Sequence, residues 1–305
     1  MEHIFTALIP VFLLILIGYF FKRIKFPSND FWSNADKLTY YVLMPSLLVY
    51  KLATANLDNI EGLDFVIVGL LGIFAVLFIS ILINMKAKTS GASFSSVVQG
   101  AVRFNTYVFL ALIAAMLGDT GLALAALLIT FAIPLINVIC ITIFAIYVND
   151  KKATFTGMIK SIITNPLIVA CIIGGTINYV DIDMPIIVES VLKIMSASAL
   201  PMGLLSVGFS LDLSSIKEAK FDLLVSSILK LVVMPLVMFF IAKAFTLDNL
   251  LLSILVIFAS MPTAASSFIL ARQLGGDTKL MASIITLQTI LSIFSISVIL
   301  GYLSN

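Results

Sequence analysis

Charge, histidine, tryptophan and cysteine are all scarce in this chain of 305 residues: charged residues make up 11%, with one His, one Trp and two Cys. Each scarcity excludes something. Only 11% charge against 61% hydrophobic residues, at a mean hydropathy of +1.17, lies far outside the range of soluble globular domains. A net charge of +2, with its cations spread over short connections, offers no patch for nucleic acid. With His3 as the single histidine, and no Ser/His/Asp, Cys/His, HExxH or paired-carboxylate arrangement, the sequence points away from an enzyme and calls for no cofactor. Cys140 and Cys171 form no CxxC and fall in apolar stretches, which predicts two buried thiols rather than a disulfide framework or a metal site.

What the chain has in abundance is apolar stretches near twenty residues, each about long enough to cross a hydrocarbon core of roughly 30 Å as a helix. They are apolar all round, as in residues 4–21, and lack the alternation of membrane barrel strands. The fold class read from them is an all-α polytopic membrane protein with ten spans, over 3–21, 33–52, 64–84, 96–117, 121–148, 162–180, 186–208, 221–245, 249–271 and 280–302. The first stretch follows only Met1, Glu2 and His3 and lacks a basic n-region, so it is expected to remain as a span. Connections are too short to hold a soluble domain. Lys and Arg crowd the odd-numbered connections, while only Lys51, Lys193 and Lys243 flank even-numbered ones. That bias predicts both termini on the extracytoplasmic side of the cell membrane.

The sequence also repeats itself once. Pro10, Gly18, Lys37 and Pro45 match Pro166, Gly174, Lys193 and Pro201 at a constant offset of 156. Thr106, Leu117 and Gly118 match Thr263, Leu274 and Gly275 at 157, and Gly118-Asp119-Thr120 recurs as Gly276-Asp277-Thr278. The repeat divides the chain into a first half, 1–148, a basic linker, 149–161, and a second half, 162–305. Five spans per half force the second half into the membrane in the opposite sense, the inverted repeat of many secondary transporters. A duplication without transport would leave the same trace.

Two spans carry matching interruptions. Span four holds Arg103-Phe104-Asn105-Thr106, and the corresponding place in span nine runs from Ser260-Met261-Pro262-Thr263 to Ala264-Ala265-Ser266-Ser267. Pro262 removes a backbone donor and Asn105 competes for backbone hydrogen bonds, so helices four and nine are predicted to be broken and to cross. Ordinary kinks are the alternative. Paired broken helices point to a midplane site where half-helix N-termini attract anionic groups. Arg103 and Lys230 stand inside spans, where an unpaired cation costs a few kcal/mol, and neither has a charged counterpart in the repeat. They are candidates for compensating a ligand's charge or replacing a coupling cation; snorkelling, capping or a structural role are the alternatives. Asn137, Asn165 and Gln288 are in-span amides of the kind that join helices. The candidate binding set is Arg103, Asn105, Thr106, Asn137, Lys230, Pro262, Thr263 and Ser266.

The residues Phe104-Asn105-Thr106, Leu117-Gly118-Asp119-Thr120-Gly121, Met261-Pro262-Thr263-Ala264 and Leu274-Gly275-Gly276-Asp277 resemble the auxin efflux carrier family, which includes plant carriers and many bacterial homologues. The resemblance covers essentially the whole chain and suits a bacterial-type member, since the long hydrophilic loop of many plant members is missing. It implies a fold similar to bile-acid symporters and sodium/proton antiporters, with spans 1, 2, 6 and 7 as scaffold and spans 3–5 and 8–10 as a transport domain that moves as an elevator. It also implies a small organic anion bound at the crossing by Asn105, Thr106, Pro262 and Thr263. Phe104 stands where plant relatives carry Pro. The expectation is therefore an exporter of a small carboxylate or auxin-like acid driven by membrane potential, embedded in the lipid bilayer, with scaffold helices available to pair two protomers. The alternatives are Na⁺- or H⁺-coupled transport on the same fold, or a membrane sensor that binds without turnover.

Overall fold

The computed structural model describes residues 2–55, 62–148, 163–218 and 221–303, and among these every regular element is helical. The linker expected at 149–161 lies outside the described residues. In chain order the helices are α1 (Glu2–Arg23), α2 (Asn29–Leu38), α3 (Met44–Ala53), α4 (Gly62–Ala87), α5 (Gly91–Val102), α6 (Thr106–Tyr147), α7 (Pro166–Tyr179), α8 (Ile186–Ser210), α9 (Phe221–Ile228), α10 (Met234–Ala244), α11 (Asn249–Ser260), α12 (Ser266–Leu274) and α13 (Thr278–Leu303). Five stretches, 63–87, 91–147, 186–210, 221–244 and 278–299, are long and apolar enough to cross a membrane; α7 and α11 are shorter apolar helices.

Local chemistry sets the interruptions. α2 runs into α3, and α9 into α10, through π turns at Thr39–Leu43 and Leu229–Val233. Each π turn ends on a Met-Pro pair, Met44-Pro45 and Met234-Pro235, and the Met amide reaches back five residues, to the carbonyls of Thr39 and Leu229. The wider turn accommodates a proline that has no N–H to give and that crowds the carbonyl four residues earlier. Pro134, by contrast, sits within α6 at helical φ and ψ. α6 does break at Gly118, whose φ of 62° and ψ of −152° are open only to glycine. Gly275 closes α12 in the left-handed conformation usual for a helix C-terminus.

The helices pack in two sets. α1 lies on α8, and α3 lies on α7 and α8; in the other set α4, α5 and α9 to α13 pack on one another, and α6 touches both. Close approach in the first set depends on glycine. A Cβ on Gly18 would overlap the Leu205 carbonyl, and a Cβ on Gly174 would stand 2.9 Å from the Val49 carbonyl oxygen. Gly18 and Gly174 are repeat partners, and so are Val49 and Leu205, at the same offset of 156. The two contacts are thus related by one sequence offset. Trp32 is buried: its Nε1 donates to the Phe26 carbonyl at 3.0 Å and its ring stacks on Phe209.

Candidate functional site

The two interrupted regions meet. α5 ends at Val102 because Arg103 is extended, with φ −74° and ψ 156°, and α6 restarts at Thr106 under an Asn105 cap. The Asn105 Oδ1 accepts from the amides of Tyr107 at 3.1 Å and Val108 at 3.2 Å, satisfying two of the donors that a helix start leaves open. On the other side, Pro262 drives the preceding Met261 into the extended region, φ −68° and ψ 140°, and ends α11 at Ser260. The Asn105 amide then donates to the Pro262 carbonyl at 2.7 Å, which ties the two breaks together.

Gln288 of α13 serves this crossing as a buried hub. Its Oε1 accepts from the Thr263 amide at 2.9 Å, and its Nε2 donates to the Gly100 carbonyl at 3.0 Å and lies 3.3 Å from the Ser226 carbonyl. The Thr263 hydroxyl donates to the Gln99 carbonyl at 3.3 Å. Unwound backbone inside a bundle must be paired within the protein, and these side chains do that. Phe104, Phe109 and Phe258 fill the space beside the crossing as three mutually edge-on rings, with centroids 4.5 to 5.8 Å apart.

Next to the crossing lies a cavity of about 170 Å³. It is lined by Arg103, Asn137 and Ser266, which sequence reasoning had singled out, and by Tyr40 and Asn165 of the other helix set; Ile133, Ile136, Leu167 and Phe104 supply apolar surface, and Thr106 and Ala264 complete the lining. The Arg103 guanidinium donates to Asn137 Oδ1 at 3.3 Å and to Ser266 Oγ at 3.1 Å. Both partners are neutral. None of the lining residues is acidic, and among the described residues Arg103 has no carboxylate partner.

Three helix starts border the cavity as well: α6 at Thr106, α7 at Asn165 and Leu167, and α12 at Ser266. Each places the positive end of its peptide dipoles there. A half-buried guanidinium without a carboxylate partner among the described residues thus lies among three such termini and apolar walls. The donor geometry of arginine suits a planar carboxylate, which accepts two parallel hydrogen bonds from it.

Of the residues proposed from sequence, Arg103, Thr106, Asn137 and Ser266 line the cavity. Asn105, Pro262 and Thr263 build the crossing behind it and do not line it; Asn105 is 3% exposed and Thr263 is wholly buried. Lys230 is not brought to the cavity. It is fully buried in the π turn before α10, with its Nζ 3.1 Å from Met234 Sδ and 5.8 Å from the centre of the Phe258 ring. Tyr40 and the cavity-facing position of Asn165 were not foreseen. No three His, Cys, Asp or Glu side chains cluster as metal ligands among the described residues.

Comparison with known proteins comes to the same kind of molecule. Residues 151–300 match the family model described as membrane transport protein. The chain is similar to an uncharacterized transporter of Methanocaldococcus jannaschii, 24% identical over 304 residues and covering 94% of both chains. It is equally similar to an uncharacterized transporter of Methanothermobacter thermautotrophicus, 24% identical over 292 residues and 95% of both chains. A Rhizobium meliloti protein provisionally named a malonate transporter is 21% identical over 313 residues, 97% of this chain and 95% of its own.

Proposed function

We propose that this chain is a member of the membrane transport protein family, that of the auxin efflux carriers, and a secondary transporter of a small organic anion, bound as a carboxylate at Arg103. The single observation that carries this reading is the Arg103 guanidinium. It lines a cavity, it is held by the neutral oxygens of Asn137 and Ser266, and no acidic residue lines the cavity with it. A cation near the bilayer centre costs roughly 2.5–3.5 kcal/mol on insertion scales, and neutral hydrogen bonds of about 1 kcal/mol each offset only part of that. An anionic substrate completes the balance. The cavity, at about 170 Å³, lies below the roughly 300–1,000 Å³ of pockets that hold drug-sized ligands, which favours an acid of a few carbons over a bulky aromatic acid. The Rhizobium relative's name makes a short dicarboxylate the first candidate.

The mechanism we propose is alternating access by ten helices in two inverted halves, with α1, α2–α3, α7 and α8 as scaffold and the remaining helices carrying the crossing past them. Two observations support it. Residues related by the repeat offset make the contacts Gly18–Leu205 and Gly174–Val49, and the helices pack as two sets that share α6. Substrate at the crossing moves with α5, α6, α11 and α12, while Tyr40 and Asn165 stay with the scaffold. With the protein in a cell membrane, a negative-inside potential drives anion export, at roughly 2.3 kcal/mol per elementary charge per 100 mV.

The test is efflux of labelled organic acids from proteoliposomes, with membrane potential, Na⁺ and pH gradients imposed separately. Potential-driven flux of one short carboxylate, lost in Arg103→Gln while the protein still purifies as a monodisperse species, is the expected result. Flux that demands a Na⁺ or proton gradient would replace the uniport with a coupled carrier on the same fold. Binding under every gradient without flux would turn the reading to a sensor.

A further inference from the structure

The cavity has a second pair of polar residues that no candidate set contained. Tyr40 stands in the π turn Thr39–Leu43, on the other helix set, and Asn165 stands at the start of α7. Tyr40, Asn165 and Arg103 line one and the same cavity. Asn165 is 7% exposed, and its Oδ1 is already committed, accepting from the Leu167 amide at 3.0 Å and the Ile168 amide at 3.4 Å. What it presents beyond that cap is its amide nitrogen, a pair of donors. Besides the groups of α5, α6 and α12, the cavity is therefore lined by a phenol side chain, a side-chain amide and the N-terminal dipole of α7. None of these three carries a formal charge.

We infer that Tyr40 and Asn165 form the second half of the substrate site, donating hydrogen bonds to a second acceptor group, the far carboxylate of a short dicarboxylate whose first carboxylate sits on Arg103. The inference rests on the anion-carrier reading and deepens it by naming which residues select for substrates with two carboxylates. Two features of the protein support it. Both helix sets bring donors to one small cavity, so a ligand with acceptors at its two ends satisfies more of them than one with a single acidic end. The pair is also one-sided: at the repeat offset of 156, Tyr40 corresponds to Ser196 and Asn165 to Ile9, and Ser196 spends its hydroxyl on the Lys193 carbonyl at 2.7 Å. Like Arg103 opposite Ser260, Tyr40 and Asn165 break the symmetry of the halves, as a ligand contact does and a shared architectural device does not.

The experiment is calorimetric binding of malonate, succinate and acetate to the purified full-length chain and to Arg103→Gln, Tyr40→Phe and Asn165→Ser. Serine keeps the α7 cap and removes the amide donors, and phenylalanine keeps the ring and removes the hydroxyl. Tyr40→Phe and Asn165→Ser are each expected to weaken a dicarboxylate about tenfold more than acetate. Loss of acetate and dicarboxylate by the same factor, or no loss of dicarboxylate, would overturn the assignment. If the unaltered chain binds none of the three acids, the anion reading falls and takes this inference with it. If it binds them and Arg103→Gln abolishes binding, the anion reading stands and the other two variants alone decide the second subsite. Should Asn165→Ser fail to fold, Tyr40→Phe carries the decision.

Discussion

Asn105 and Pro262 occupy equivalent positions of the internal repeat, 157 residues apart, and they meet through one backbone hydrogen bond of 2.7 Å from the Asn105 amide to the Pro262 carbonyl. A symmetric crossing would return a second bond from residue 262 to residue 105. Proline has no N–H, so it cannot; the Asn105 carbonyl instead accepts from Phe109 at 3.0 Å, inside α6. The pair explains how one crossing becomes two-faced. The residues after Asn105 form a capped helix start bordering the cavity, while Thr263, after Pro262, is drawn into the buried network of Gln288.

Asn105 acts through its cap. Asn105→Ala is expected to abolish flux and to lower stability by about 1 kcal/mol, since two α6 amides at the cavity lose their acceptor. Asn105→Ser, which still caps, should retain most of both. Thermal unfolding in detergent beside liposome flux checks this, and an inactive but fully stable Asn105→Ser would assign the amide itself to the substrate.

Gln288 is expected to be the most sensitive polar residue of the core. Gln288→Leu strands the Thr263 amide and the Gly100 carbonyl inside the bundle, at roughly 1–3 kcal/mol for each unmet group. We expect a fall of several degrees in Tm, against little change for Ser253→Ala, whose half-buried hydroxyl only donates back to the Asn249 carbonyl of its own helix.

The repeated Gly-Asp-Thr turns predict unequal effects from the same substitution. Asp277 caps α13 through the Leu280 amide at 3.0 Å and accepts from Ser93 at 3.2 Å, so Asp277→Ala should cost about 1–2 kcal/mol. Asp119 pairs with Lys51 at 2.6 Å on a mostly exposed side chain, and Asp119→Ala should change stability by less than about 1 kcal/mol, less still in high salt. Parallel melts of the two variants at low and high ionic strength decide it.

Lys230→Met is expected to fold at least as stably as the unaltered chain and to retain anion flux. The ammonium lies among Met234 and Phe258, away from the cavity, and an apolar side chain of similar length fills the same volume without a buried amine. Loss of flux with intact stability would show that transport needs the cation there.

Much of the architecture is decided by the sequence itself. Helicity follows from apolar length, because backbone in lipid must pair within its own segment. The two breaks follow from Asn105 and Pro262, whose effects reach only a turn or so in either direction, and the repeat follows from residue register alone. What tertiary structure decided is which polar side chains share a space. Arg103, Asn137 and Ser266 come together, Tyr40 and Asn165 line the same cavity, and Lys230 goes elsewhere. The physical reason is that a helix between lipid and an apolar core is hydrophobic on every face, so the amphipathic stripe that tells inside from outside in a soluble helix is nearly erased. The direction in which an in-span Tyr, Asn or Lys points is then set by helix packing, and that packing depends on contacts such as Gly18 against Leu205 and Gly174 against Val49, made between residues more than a hundred positions apart.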